Sequence, residues 1–242
     1  MVKNTMEAIM WNGKNKALTF SYDDGVRQDK RLIEIFDKYG LKATFNLNSG
    51  LLGKNIYLER EGVKVEHFKF EPHEIKEVYK NHEVAAHTVK HPSLPKVEDD
   101  AEVIRQVEED RQKLSELLGY EVVGFAYPGG EPNVDDRVAR LVKDHTGVKY
   151  ARTVTTAGNF NICPDLYRFE GTISHHKNWD ELFDLGMQFL ELKTDTPKIF
   201  YIWGHAYEFD IYPERWEQFE QFCKMMSGKD DIFYGTNKEV LL

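Results

Sequence analysis

Short apolar runs alternate along this chain with longer stretches in which apolar residues recur every three or four positions. Runs of high β propensity fall at 17–22, 43–47, 83–86, 122–127, 150–154, 168–173, 198–203 and 232–234, and each has the length of a strand. Helical spacing occupies 29–38, 72–80, 101–118, 135–143, 179–192 and 213–226. In the first helix Leu32, Ile33, Ile35 and Phe36 line one face, and Gly40 sits where the helix should stop. In the third, Val103, Ile104, Val107, Leu114, Leu117 and Leu118 form the stripe and Gly119 closes it.

Repeated β-α units favour a parallel sheet, either a barrel or an open doubly wound sheet. No linker, repeat or low-complexity tract divides the chain, so a single domain over 1–242 is expected. In a barrel, chemistry belongs where strands end and the next loop begins. The polar oddities of this chain do cluster just after the expected strands.

Composition narrows the choices. With 41% hydrophobic and 13% aromatic residues there is ample material for a core. A formal net charge of −9 argues against nucleic-acid binding, because no basic excess exists to neutralise phosphates. No segment approaches the roughly 18 apolar residues of a membrane span, and the start lacks the apolar core of an export signal. A cytoplasmic protein without membrane attachment is the expectation. Cys163 and Cys223 have no ligand spacing and read as buried filler.

Four clusters carry the candidate chemistry. LTFSYDDG (18–25) ends an apolar run in two adjacent carboxylates, Asp23 and Asp24, and a glycine; alone it would read as a turn. NHEVAAHTVKHPSLP (81–95) places His87 and His91 four apart. Pro92 disfavours a helix there, so a strand end delivers His87 into a loop. FYIWGHAYEFD (200–210) puts His205 after another strand, and GFAYPGGEPN (124–133) ends a fourth in a Pro-Gly-Gly loop. Aspartate plus two histidines is a suitable N/O set for zinc or a similar metal. Neighbours on a strand point in opposite directions, so the two aspartates suit different tasks, one on the metal and one beside its water.

These motifs are similar to those of the polysaccharide deacetylase family (carbohydrate esterase family 4, with the chitooligosaccharide deacetylase homology domain). TFSYDDG resembles the family's T-F-D-D-G element with an intervening insertion, and HTVKHP resembles H-[ST]-x-x-H-P. KATFNLNSG resembles the second strand, and WGH matches the last motif. The resemblance implies a distorted (β/α) barrel of seven or eight strands. It also implies metal-dependent removal of an acyl group from an N-acetylated sugar or oligosaccharide. By position, Asp23 matches the catalytic base, Asp24, His87 and His91 match the metal ligands, and His205 matches the general acid. Zinc is the expected divalent ion, with cobalt or iron as alternatives.

Two departures stand out. In the family the loop after the fourth strand carries an arginine and an aromatic residue; here Ala126 and Gly129 occupy those positions. Arg152, in YARTV at the next strand's end, is the expected replacement holding Asp23 ionised. The family's Asp-Trp element that orients the acid histidine has no clean match. Tyr127, Gly129, His175 and Trp203 are the candidate substrate contacts. Two alternatives use the same residues differently: hydrolysis of a small non-sugar amide or cyclic ureide, and a catalytically silent carbohydrate-binding protein.

Overall fold

A computed structural model describes residues 10–242. In chain order its elements are β1 (Lys16–Asp23), α1 (Asp29–Tyr39), β2 (Ala43–Leu47), β3 (Asn55–Arg60), β4 (Val63–Phe68), α2 (Ile75–Val78), β5 (Glu83–Ala86), α3 (Asp100–Leu118) and β6 (Gly124–Ala126). There follow α4 (Asp136–His145), β7 (Tyr150–Thr156), β8 (Phe169–Gly171), β9 (Ile173–Ser174), α5 (Trp179–Glu191), β10 (Lys198–His205), α6 (Glu214–Met226), β11 (Ile232–Tyr234) and α7 (Asn237–Leu241).

The main sheet runs β8-β7-β6-β5-β2-β1-β10-β9 with every pairing parallel, and β11 pairs the first residues of β1. All eight residues of β1 are buried, as expected of a central parallel strand covered on both faces. Outside it, Phe20 and Tyr22 pack with Phe36 of α1 and Phe219 of α6, and Phe45 packs with Tyr22. The expected run 168–173 is two short strands. β8 pairs β7, β9 pairs β10, and at Thr172 between them the N–H donates to the Tyr201 carbonyl at 2.8 Å. This segment brings the two edges together, so the sheet is a nearly closed eight-stranded barrel with helices outside, the distorted (β/α) barrel of the sequence reading.

One element was not anticipated: the antiparallel hairpin β3–β4. Its turn residues Glu61 and Gly62 have φ of 51° and 78°, the two consecutive positive values that match a tight hairpin's twist. The expected helix 72–80 shortens to α2, and strand 122–127 shortens to β6. Both cysteines are free. Among the described residues no helix is long and apolar enough to cross a membrane.

Gly124 marks a close approach between neighbouring strands. A Cβ there would lie 2.2 Å from Tyr150 Oη and 2.9 Å from Ala85 Cβ, while Tyr150 Oη is held by a 2.9 Å bond to Glu83. Gly124→Ala should cost about 1–3 kcal/mol by overpacking, read as a fall of several degrees in Tm; an unchanged melting curve would contradict this packing.

Candidate active site

The C-terminal ends of the strands deliver the polar residues of the sequence motifs to one cavity of about 480 Å³, within the range of small-molecule sites. Its lining includes Asp23, Asp24, His87, His91, Tyr127, Gly129, Trp203 and His205. Of the sequence-predicted residues, Arg152 stands behind Asp23 and His175 is buried to one side; neither lines the cavity.

Asp23 is the last residue of β1 and is buried. Arg152 Nη2 donates to both of its carboxylate oxygens, at 2.6 and 2.5 Å, and Asn46 Nδ2 donates to Oδ1 at 2.7 Å. The guanidinium also lies 4.6 Å from the Trp203 ring centre, a cation–π contact. Burial alone would raise the pKa of Asp23. Arg152, with His87 and His205, outweighs it and holds the carboxyl below its ordinary value. The missing motif arginine is explained by register. Ala126 on β6 pairs directly with Arg152 on β7, so the guanidinium comes from the adjacent strand at the same height.

Asp24 has φ of 81°, a left-handed conformation uncommon for a non-glycine residue. Lys69 Nζ donates to its carbonyl and lies 3.5 Å from its Oδ1, and His67 Nε2 lies 3.1 Å from Oδ2. Burial again opposes the charge, but Lys69 and His67 carry the Asp24 pKa well below the usual carboxylate range.

His87 follows β5. Its N–H is shared between the Leu47 carbonyl and Asp110 Oδ2, each at 2.9 Å. Its Nδ1 donates to the Ala126 carbonyl at 2.7 Å, which leaves the buried Nε2 without a protein partner and with its lone pair free. Burial keeps the ring neutral, with its pKa pushed down to about 4. Pro92 excludes the helix that a four-residue spacing might suggest, and Thr88 and His91 take φ of 67° and 58° instead. One ligand atom each from Asp24, His87 and His91 lies within 4.8 Å of the others. Two imidazoles, one carboxylate and an orphaned buried Nε2 fit a divalent ion of the zinc type.

His205 Nε2 lies 4.0 Å from both Asp23 and Asp24. Its Nδ1 bonds Glu208 Oε1 at 3.1 Å, and Glu208 Oε2 accepts from the His205 backbone N–H at 2.9 Å. Burial works against a charge on His205. Glu208, helped by Asp24 and Asp23, overcomes it and raises the pKa to about 9. Glu208 is in turn lowered to about 2, against burial, by His205 and His175. The chain lacks the Asp-Trp element, and Glu208, three residues after the histidine, contacts its ring instead.

Tyr127 lines the cavity with its hydroxyl donating to the Tyr167 carbonyl at 2.9 Å. Gly129, with φ of 91°, has open space where a side chain would stand. Trp203 also lines the cavity. His175 has a different setting from the substrate contact expected of it. Its ring stacks on Phe209 at 4.5 Å and 7°, in space that exists because Gly204 has no Cβ. Neighbouring His176 points to the surface and bonds Glu61 at 2.8 Å.

Sequence reasoning did not find His67, Lys69, Asn46, Asp110 or Glu208. His67 and Lys69 lie at the end of the unanticipated hairpin. The alternation of 55–60 and 63–68 around Glu-Gly was the available signal.

Burial pushes the pKa of His175 down to about 3, against an unfolded value of about 6.5. The folded value is depressed, so its contribution to stability is complete above pH 6.5 and is lost as pH falls toward 3, by about 1 kcal/mol per pH unit. His175→Phe should therefore reduce the loss of Tm between pH 7 and pH 4.5 in thermal unfolding. A loss as steep as in the unmodified protein would contradict the buried neutral ring.

The model of the family described as polysaccharide deacetylase matches residues 12–151, more than half of the chain. No curated protein matches the sequence. Solved structures show the same fold at low identity. A probable polysaccharide deacetylase from Pseudomonas aeruginosa PAO1 is 15% identical with a TM-score of 0.69, over 94% of this chain and 90% of that one. PuuE allantoinase is 13% identical with a TM-score of 0.66, over 94% and 89%. A family 4 carbohydrate esterase from Streptomyces lividans, in complex with acetate, is 13% identical with a TM-score of 0.56, over 92% and 93%. The chain spans 55% of the length of a Streptococcus pyogenes deacetylase and 66% of a Bacillus anthracis family 4 pseudoenzyme. With its family model, its barrel and its strand-end motifs in agreement, the chain belongs to the polysaccharide deacetylase family.

Proposed function

We propose that the protein is a metal-dependent hydrolase that removes the N-acetyl group of an amino sugar or oligosaccharide. The observation that carries this reading is that two groups on one cavity have opposed partners, Arg152 donating to both oxygens of Asp23 and Glu208 bonding His205 Nδ1. Asp23 is held ionised by Arg152, and His205 is held protonated by Glu208. Such a pair divides the labour of base and acid.

Asp24, His87 and His91 would hold the ion, and Asp24 is kept anionic and oriented by Lys69 and His67. A divalent ion there would supply Lewis-acid polarisation of an amide carbonyl and acidification of a water. Asp23 is positioned to take a proton as water attacks that carbonyl. The oxygen gaining charge would lie toward the loop at Gly129 and Gly130, where backbone N–H groups can donate. His205 would then give its proton to the departing amine, and Glu208 stabilises the imidazolium until it does so. Arg152 touches no substrate in this scheme and acts by holding Asp23 in place.

A second reading keeps the same groups but cleaves a small amide or cyclic ureide. It is favoured by the open space at Gly129 where relatives carry an aromatic residue, and by the likeness of fold to an allantoinase. The test is acetate or ammonia release from N-acetylated sugars and ureides, with zinc, cobalt or iron and after chelation. The proposal expects acetate release that chelation abolishes. Asp24→Ala should lose stoichiometric metal, and Asp23→Asn should keep it while kcat falls about 10²–10⁴-fold. Turnover of a ureide with no acetate from any acetylated sugar would overturn the sugar reading, and full activity after chelation would overturn metal dependence.

A further inference from the structure

The hairpin β3–β4 leaves the barrel after β2 and returns before β5. On its way it crosses the ends of β1 and β10. Arg27 N–H donates to the Phe68 carbonyl at 2.7 Å, and Gln28 Nε2 to the Glu66 carbonyl at 2.8 Å. The His67 ring packs against Tyr207 at 5.2 Å, just after β10. The tip reaches the far rim, where Glu61 accepts from Tyr212 Oη at 2.6 Å and pairs with His176 Nε2 at 2.8 Å.

Arg60 and Lys177, the residues beside the bonded pair Glu61 and His176, both line the cavity. The Arg60 guanidinium lies within reach of the Tyr207 hydroxyl and donates to the adjacent Glu59 carbonyl at 3.4 Å. Among the described residues, neither Arg60 nor Lys177 forms an ion pair. The cavity's acids, by contrast, are all committed: Asp23 to Arg152, Asp24 to Lys69 and His67, and Glu208 to His205. A chain with a net charge of −9 thus presents two uncompensated cations to its cavity. Cations that line a cavity without a counter-charge favour an anion there.

We propose that Arg60 and Lys177 form an anion-recognition site, and that the substrate of the reaction set out above carries a carboxylate or phosphate group beyond the bond that is cleaved. The proposal rests on that reading for the reaction but not for binding. Arg60 supplies a planar fork suited to either anion and Lys177 a mobile point charge. Salt should weaken the preference, since both residues are exposed.

The test compares N-acetylglucosamine with its 6-phosphate and with the corresponding uronic acid, using the metal-loaded full chain. Two readouts are taken, kcat/KM for acetate release and Kd by calorimetry. The expected result is a preference of about tenfold or more for at least one anionic sugar, expressed in KM and Kd. That ratio should collapse toward one in the Arg60→Gln/Lys177→Gln variant, whose melting curve reports that it folds. The identity of the preferred sugar distinguishes phosphate from carboxylate. Equal binding of neutral and anionic sugars, or a preference that survives both substitutions, would overturn the anion site. Tight, Arg60- and Lys177-dependent binding of an anionic sugar without acetate release would sink the deacetylase reading and leave the anion site standing.

Discussion

The site is organised around a buried ion pair that spans the barrel. Arg152 sits on β7 and Asp23 on β1, with β6, β5 and β2 between them in the sheet. The arginine crosses the interior, lies against Trp203 of β10, and closes on both oxygens of the aspartate. Taking two charges out of water is costly, so such a pair contributes little net stability. Breaking it is another matter, because it would leave a buried charge without compensation, at roughly 3–5 kcal/mol. Its value is in what it fixes: a carboxylate that stays ionised in a dry setting, aimed at a cavity shared with two imidazoles and a second carboxylate.

Each neighbouring group is committed in the same way by dedicated partners. Lys69 and His67 hold Asp24, the Ala126 carbonyl sets the tautomer of His87, and Glu208 holds His205 charged. The strained backbone at Asp24, Thr88 and His91 sits where such strain is commonly found, among residues that must converge on one point. The consequence for electrostatics is that the acids of the cavity cancel internally while Arg60 and Lys177 do not. An acidic protein can therefore carry two uncompensated cations on its cavity lining.

Much of the barrel was legible because a buried parallel strand leaves an unbroken apolar run, as in Ala43–Leu47, and the helices between leave a stripe closed by glycine. The strand-end rule brings Asp23, Asp24, His87, His91 and His205 to one place from the sequence alone. What escaped did so for physical reasons. The hairpin β3–β4 is solvent-exposed along most of β3, so it lacks the apolar signature of a core strand. His67, Lys69 and Glu208 act through contacts made across the fold, and no local pattern marks a lysine that will be buried against a carbonyl. His175 looked like a pocket residue because it follows a strand. Its fate was decided by Gly204 on β10, whose missing side chain admits the ring to the core. Arg152 was legible at the next strand's end, and the register that sets Ala126 beside it supplies the physical reason.

That register offers the most direct test of the central claim, that a guanidinium at this height is what keeps Asp23 working. Arg152→Ala should lower kcat for acetate release about 10²-fold or more. Adding Ala126→Arg, which returns an arginine to the adjacent strand at the same level, should restore at least about tenfold of it. Wild-type turnover in Arg152→Ala, or a folded double variant no more active than the single one, would contradict the account.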